Sequence, residues 1–116
     1  MREGLGMYDL IQGVTETEKY FGDKLAVVYK FGWGIKIIGF KYGNHLDLRV
    51  LTIGNNHKRK GLGEGALRQL RPRFKTITVN EIYEEALPFW LKMKERGLID
   101  HIGTVKLTRV YDHVDA

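Results

Sequence analysis

The sequence predicts an α+β fold, with a mixed β-sheet flanked by helices, in a single domain that spans residues 1–116. Three observations lead to this prediction. Runs rich in β-branched and aromatic residues occupy residues 24–53. Two segments with apolar residues at helical spacing follow, between residues 62 and 97. A short β-branched run separates these segments, which indicates a strand–helix–strand unit with a right-handed parallel crossover.

The first half of the chain predicts one short helix followed by three strands. In Thr15–Phe21, Thr15 and Glu18 have the spacing of a helix capping box. Gly32–Gly34 separates two β-rich runs and suits a hairpin. In the third run, His45–Ile53, polar and apolar residues alternate at first, and the end of the run is wholly apolar. This change indicates a strand whose far end is buried on both faces. The three predicted strands are Lys24–Phe31, Gly34–Gly43 and His45–Ile53.

The second half of the chain alternates helices with strands, giving the predicted order β-β-β-α-β-α-β. Leu62–Phe74 carries an apolar stripe at helical spacing and is ended by Pro72. Ile82–Gly97 is the longer predicted helix, with Pro88 in its early turns and Gly97 as its C-cap. The stripe consists of Leu62, Ala66, Leu67 and Leu70, and the remaining strands are Lys75–Val79 and His101–His113.

Composition and charge narrow the classes of function. The net charge of +5 favours anionic partners such as nucleic acid or a phosphorylated cofactor. The sequence has no cysteine, which excludes disulfides, and its four histidines lack the spacing of metal ligands, so no metal site is expected. No run approaches the roughly 20 apolar residues of a membrane-spanning helix. The start of the chain lacks a signal-peptide pattern, so we expect a cytoplasmic protein without membrane contact.

A basic, glycine-rich stretch, NNHKRKGLGEG (residues 55–65), lies between the third strand and the following helix. Glycines at a helix start let an anion approach main-chain N–H groups at the positive end of the helix dipole. Lys58, Arg59 and Lys60 would add charge-assisted hydrogen bonds. The alternative interpretation is a solvated basic turn without a ligand.

Two common phosphate-binding motifs do not fit this stretch. The P-loop is excluded because no Gly-Lys-Ser/Thr follows a spaced glycine. Gly61–Ala66 matches the dinucleotide fingerprint, and Glu81 lies downstream where an acidic residue is wanted. However, residues 54–60 separate the strand from the first glycine, and the chain is too short for a doubly wound domain.

The segment LTIGNNHKRKGLGEGAL (residues 51–67) resembles the acetyl-CoA signature of the GNAT N-acetyltransferase family, a strand followed by Q/R-x-x-G-x-G/A and a helix. Lys58 stands where the family usually has glutamine or arginine. ALPFWLKMKERGLI (residues 86–99) is similar to the family's later helix, with extra residues between Trp90 and Gly97. The similar segments cover residues about 45 to 110. The resemblance implies a GNAT-like fold and acetyl transfer from acetyl-CoA to a primary amine.

The resemblance also assigns roles to the signature. In the family, main-chain N–H groups of the loop hold the CoA pyrophosphate. The preceding strand pairs with the pantetheine arm, and one of its N–H groups polarises the acetyl carbonyl. Neither a metal nor an enzyme nucleophile takes part. The cofactor-binding residues that the resemblance implies are Leu51, Thr52, Ile53, Lys58, Arg59, Lys60, Gly61, Leu62, Gly63 and Glu64.

An ammonium acceptor must lose a proton before it attacks, so the resemblance implies a general base. Asp47 is the candidate, at a strand position where some family members carry a glutamate, and His45 is the alternative. The structural interpretation of Asp47 is an ion pair with Arg49 or a lysine. The tyrosine that many members use as acid has no counterpart on the later helix. Tyr83 is therefore the candidate acid, and Tyr111 is a second.

The N-terminal region departs from the family pattern. Family members normally have a strand and two helices before the first hairpin, whereas 23 residues precede Lys24, so we expect a truncated N-terminal region. The acceptor site is then open or completed by a second subunit in a homodimer. The acceptor is a small-molecule amine or a protein amine. A catalytically degenerate protein that binds CoA without turnover is one alternative function.

A basic nucleic-acid-binding module is the other alternative function, because phosphate contacts need only a positively charged face. The stretch from the loop to the helix end lacks interleaved exposed aromatics, which disfavours binding of a single strand. The basic face would consist of Lys58, Arg59, Lys60, Arg68, Arg71, Arg73 and Lys75.

Four large apolar side chains are expected in the core, namely Trp33, Phe89, Trp90 and Leu91.

Overall fold

The computed structural model describes residues 14–53 and 61–107, except for the side chain of Trp33. Eight strands and two helices lie in these residues. The strands are β1 (Thr15–Phe21), β2 (Lys24–Lys30), β3 (Lys36–Tyr42), β4 (His45–Thr52), β5 (Thr76–Val79), β6 (Ile82–Tyr83), β7 (His101–Ile102) and β8 (Val105–Lys106). The helices are α1 (Leu62–Leu70) and α2 (Leu87–Glu95).

Six strands form one mixed sheet in the order β1-β2-β3-β4-β5-β7. The first four make an antiparallel meander in which each strand pairs with the next. β5 lies parallel to β4, and β7 lies parallel to β5, with α1 and α2 as the crossovers. β6 and β8 form a separate two-stranded parallel sheet. The predicted α+β class and the parallel strand–helix–strand unit are therefore confirmed.

Both helices cover the same face of the main sheet. Val27, Ile37 and Leu48 of the sheet belong to one buried apolar cluster with Leu67 of α1 and Trp90 of α2. Right-handed crossovers between successive parallel strands place both helices on one side, as this cluster requires. On β2, β3 and β4 the side chains of the opposite face lie outside the cluster. In the part of the chain described here, no helix is long and apolar enough to cross a membrane.

Thr15–Phe21 forms strand β1 and not the short helix predicted from the sequence. It pairs with β2 along its whole length. Every residue of β1 is exposed, so no apolar periodicity marks the strand in the sequence. The capping-box spacing of Thr15 and Glu18 is a local pattern, and the ladder with β2 overrides it.

The first long helix is shorter than predicted. α1 ends at Leu70 instead of Phe74, and a 3-10 turn, Arg71–Arg73, follows it. Pro72 explains the end, because it has no N–H to donate to the carbonyl four residues earlier in a helix. The predicted buried stripe is confirmed, since all of its members are at most 1% exposed, namely Leu62, Ala66, Leu67 and Leu70.

The second predicted helix, Ile82–Gly97, is helical only from Leu87. Its first two residues form β6, and a 3-10 turn follows. Pro88 lies in the first turn of α2, where its missing N–H costs no helical hydrogen bond. Gly97 ends the helix as predicted, with a φ of +78° and a hydrogen bond of 2.9 Å from the N–H of Leu98 to the carbonyl of Met93.

The predicted closing strand, His101–His113, is broken into two short strands in different sheets. β7 joins β5 in the main sheet, and β8 joins β6 in the small one. Gly103 lies between them, where a Cβ would fall 1.8 Å from the side-chain oxygen of Asn80. Residues 108–113 of the predicted strand lie outside the described residues.

The core prediction holds for one of the four large apolar side chains and fails for another. Trp90 is buried, at 4% exposure, and Phe89 is half-buried. Leu91 is 52% exposed, because it lies on the side of α2 that faces away from the sheet, and its prediction is wrong. The side chain of Trp33 is outside the described part of the structure.

Candidate functional site

β4 and β5 separate after four residue pairs and leave a cleft between them. Their parallel ladder ends at Leu48 and Val79. A last hydrogen bond of 2.9 Å joins the N–H of Asn80 to the carbonyl of Leu48. β4 continues to Thr52, and there it pairs only with β3 among the described strands. Residues 49–52 therefore present one main-chain edge to the cleft without a strand beside it.

A β-bulge at Arg49 turns β4 at the point where the cleft begins. The register between β3 and β4 shifts between Ile38 and Gly39, which leaves Arg49 as an extra residue on β4. Such a bulge increases the local twist and redirects the strand. Gly39 permits it, because a Cβ at this position would lie 2.5 Å from the carbonyl oxygen of Asp47.

Asp47 and Asn80 hold the two strands together where they separate. The Asp47 carboxylate, only 9% exposed, accepts hydrogen bonds from Arg49 Nε (3.2 Å), Arg49 Nη2 (3.1 Å) and Asn80 Nδ2 (2.8 Å). The side-chain oxygen of Asn80 accepts the N–H of Thr104 at 2.9 Å. Burial alone would raise the pKa of Asp47, but the hydrogen bonds from Arg49 and Asn80 outweigh it, so the pKa lies below its usual value. This geometry matches the structural interpretation of Asp47, an ion pair with Arg49.

We expect the Asp47→Ala variant to lose about 2 kcal/mol in the free energy of unfolding, because charged hydrogen bonds are broken and Arg49 loses its acceptor. Urea unfolding at pH 7 measures the loss. The native pKa of Asp47 is lowered, so its stabilisation is present above the unfolded pKa of about 3.9 and disappears as the pH falls through the native pKa. The difference in the free energy of unfolding between the unchanged protein and the Asp47→Ala variant should therefore become smaller in acid. Asp23→Ala, in the exposed turn after β1, is the matched control, and an equal loss there would contradict the assignment.

Two adjoining cavities occupy the cleft. The larger, of about 550 Å³, lies where the strands have separated and is lined by residues 49–52 of β4 and by residues 81–83, which follow β5. The smaller, of about 360 Å³, extends to the start of α1. Leu51, Ala86 and Trp90 line both cavities, so the two lie side by side, and together they are here termed the trough.

α1 begins at the wall of the smaller cavity. Gly61 precedes the helix with a φ of +69°, which glycine adopts without strain, and apart from its chain neighbours no atom of the described residues lies within 4 Å of the place for a Cβ. Gly63 is closely packed, since a Cβ there would lie 3.2 Å from the ring of Phe89. The first N–H groups of a helix have no acceptor within the helix, and they lie at its positive end. This wall is therefore suited to an anionic group.

Glu64 lines the same cavity, and two arginines compensate its charge. Its carboxylate accepts hydrogen bonds from Arg68 at 2.8 Å and from Arg96, which follows α2. Arg96 and Lys92 also line this cavity. Two arginines pair with one carboxylate and Lys92 lines the same cavity, so the local charge is positive and favours an anionic ligand.

Glu81 lies at the larger cavity with an unusual backbone conformation. Its φ is +64°, the only positive value outside glycine among the described residues. An L-residue in this region costs roughly 1–2 kcal/mol. The N–H of Glu81 donates to Thr104 Oγ1 at 2.8 Å, and its carboxylate pairs with Lys106 at 3.2 Å. Sequence reasoning missed Glu81 as a site residue, because its conformation depends on Thr104, which is 23 positions away.

The structure brings many of the residues predicted for the site together along the trough. His45 is not among them, because it hydrogen-bonds Thr76 Oγ1 at 2.6 Å at the far end of the β4–β5 ladder. The side chain of Leu62 packs in the core, which leaves only its main chain for a ligand. Lys58, Arg59, Lys60 and Tyr111 lie outside the described residues. The predicted residues that line the trough are Leu51, Thr52, Ile53, Gly61, Gly63, Glu64 and Tyr83.

The basic face predicted around α1 is largely paired with acidic side chains in the described region. Its three arginines each form an ion pair, namely Arg68 with Glu64, Arg71 with Asp100 and Arg73 with Glu16. The hydrogen bond from Arg71 lowers the pKa of Asp100, as expected for a close ion pair. These pairs reduce the charge that this face can offer to nucleic acid.

Within residues 14–53 and 61–107, no three histidine, aspartate or glutamate side chains are grouped so as to hold a metal ion. Comparisons of the chain with models of known families, with curated proteins and with solved structures give no match. The function must therefore be inferred from the geometry of the trough itself.

Proposed function

We propose that the chain is a small GNAT-like N-acetyltransferase, with an acyl-CoA N-acyltransferase fold, that moves acetyl from acetyl-CoA to a primary amine. The observation that carries the proposal is the separation of β4 and β5 beside the start of α1. This separation provides a free strand edge and an anion-binding helix start in one trough.

The chemistry of the trough fits two parts of acetyl-CoA, the pantetheine arm and the diphosphate. The pantetheine arm contains amide groups, which can hydrogen-bond the free edge of residues 49–52 as an added strand would. The diphosphate is suited to the N–H groups at the start of α1, with Arg96 and Lys92 at the rim. Phe89 and Trp90 supply the apolar wall between these two ends.

The proposed reaction is a direct displacement at the thioester carbon. The acceptor nitrogen forms a bond to the acetyl carbon, and the carbon–sulfur bond then breaks to release CoA as a thiolate. A main-chain N–H on the free edge of β4 stabilises the oxyanion that develops between these steps. The base takes one proton from the acceptor ammonium before the attack, and the hydroxyl of Tyr83 gives a proton to the departing sulfur. The acceptor nitrogen loses its second proton as the amide forms, and that proton restores the hydroxyl of Tyr83.

Glu81 is better suited than Asp47 to act as the base. Three hydrogen bonds hold Asp47 beneath the bulge, and it lines neither cavity. Glu81 lines the larger cavity, beside Tyr83, and its side chain is 44% exposed. An acceptor ammonium entering the cleft would meet the Glu81 carboxylate, which can bind it and accept its proton. We therefore assign to Glu81 the role that the sequence suggested for Asp47.

Calorimetry with acetyl-CoA, followed by an assay of thiol release with a panel of small and peptide amines, tests the proposed function. We expect saturable binding of acetyl-CoA, weaker binding of adenosine diphosphate, which lacks the pantetheine arm, and amine-dependent thiol release. Binding without release for any amine would favour the degenerate CoA-binding alternative. Absence of saturable acetyl-CoA binding would contradict the proposal altogether.

A further inference from the structure

The face of β1–β4 that points away from the helices, here termed the open face, is rich in cations. Strand alternation and the registers of β1 to β4 place five cationic side chains on it. Two of them contact the same aromatic ring, since Lys24 and Arg49 lie 5.4 Å and 5.1 Å from the ring centre of Phe40. The five cations are Lys19, Lys24, Lys30, Lys36 and Arg49.

Acidic side chains are almost absent from the open face. The four strands contain three acidic residues. Glu16 and Glu18 lie on the helix side, where both pair with Lys41. Asp47 is buried and bonded to Arg49. The four lysines of the open face form no ion pair with any residue in the described ranges, so their charge is available to a partner.

Two of these lysines lie directly opposite each other, which stability alone does not explain. Lys30 of β2 is the register partner of Lys36 of β3. Like charges at opposed positions on neighbouring strands destabilise a sheet. An anionic ligand that binds across both strands would relieve this repulsion.

Aromatic side chains are interleaved with the cations on the same face. Phe21 is 56% exposed and Tyr42 is 45% exposed. Phe40 lies one side-chain row from Tyr42 on β3, and Lys19 lies 5.4 Å from the ring centre of Phe21. Neighbouring strands are about 4.8 Å apart, so the rings and the cations alternate over a short distance across the sheet.

We propose that the open face binds single-stranded nucleic acid, with bases stacked on Phe21, Phe40 and Tyr42 and phosphates paired with the surrounding lysines. An open antiparallel sheet with aromatics and cations on one face is a physical platform for unstacked bases. A second copy of the chain would bring the lysines against themselves, which disfavours self-association through this face. The proposal is independent of acetyl transfer, because the lysines and aromatic rings that it uses line neither cavity of the trough.

Fluorescence anisotropy with labelled DNA and RNA strands of about 15 nucleotides tests the proposal at salt concentrations from about 50 to about 200 mM. We expect both the single-stranded DNA and the single-stranded RNA to bind, with an affinity that falls steeply as the salt concentration rises. Lys30→Glu with Lys36→Glu should weaken binding at least tenfold, and Phe21→Ala or Tyr42→Ala should weaken it several-fold. Lys75→Glu with Lys94→Glu is the control of equal charge change away from the open face, and it should weaken binding far less.

A milder variant separates binding from folding. Lys36→Gln removes one of two repelling charges, so we expect it to raise Tm while it weakens the binding of single-stranded nucleic acid. Equal effects of both charge-reversal pairs, or no effect of the aromatic variants, would overturn the proposal in favour of unspecific attraction. Absence of strand binding at low salt would also overturn it. Equal binding of a duplex or of polyglutamate would show that the face recognises charge alone, and would overturn it as well.

Discussion

The Gly61→Asp variant is expected to bind acetyl-CoA at least tenfold more weakly than the unchanged protein. The substitution places a carboxylate at the start of α1, where the diphosphate is proposed to lie, so it replaces attraction by repulsion. A tenfold change corresponds to about 1.4 kcal/mol, which is within the range of one charge at a helix end. Calorimetry with acetyl-CoA measures the change.

Folding of this variant is not at risk from its side chain. Within residues 14–53 and 61–107, no atom beyond the adjacent residue lies within 4 Å of the Cβ position at Gly61, and aspartate is among the residues that tolerate a positive φ. Gly61→Asn is the matched control, with almost the same shape and no charge. The expected result is that asparagine costs much less affinity than aspartate. Equal losses for the two variants would show that shape, and not charge, governs this wall of the trough.

The Glu81→Gln variant is expected to lose about 100-fold in kcat while it keeps its affinity for acetyl-CoA. Glutamine preserves the size of the side chain but cannot accept the proton of the acceptor, and general-base catalysis is typically worth about 10²–10⁴-fold. Thiol release with the best amine gives the rate, and calorimetry gives the affinity.

Glu85→Gln provides the control for this experiment. Glu85 is an exposed glutamate in the 3-10 turn after β6, and it lines neither cavity. The kcat of the Glu85→Gln variant should remain that of the unchanged protein. If Asp47→Ala removes turnover at full acetyl-CoA binding while Glu81→Gln does not, the base is Asp47 and our assignment of Glu81 is wrong.

The parts of the fold that were predictable from the sequence are those determined by local patterns. Buried strands such as β2 and β3 are marked by β-branched residues, and α1 is marked by a periodic stripe that proved to be buried. The glycine at position 97 ended α2 as its C-cap rule requires. β1 could not be recognised in this way, because an exposed edge strand has no apolar periodicity.

The candidate site was predictable only where residues are close in sequence. The signature around Gly61 and Gly63 was visible as a glycine spacing after an apolar strand. The bonds from Asn80 to Asp47 and to Thr104 connect residues 33 and 24 positions apart, and no local pattern reveals them. The role of Glu81 depends on the same long-range arrangement. The open face could not be predicted from the sequence either, since its charges and rings come together only when four strands pair.

The short ladder between β4 and β5 has a consequence for the local opening of the sheet. Four main-chain pairs join the antiparallel meander to the parallel half of the sheet, with the side chains of Asp47 and Asn80 bracing the junction. Regions with few shared backbone bonds open at lower free energy than the whole protein unfolds. The amides of β5 should therefore exchange with solvent through a subglobal opening that leaves β2 and β3 protected, and any ligand that bridges the trough would slow that exchange.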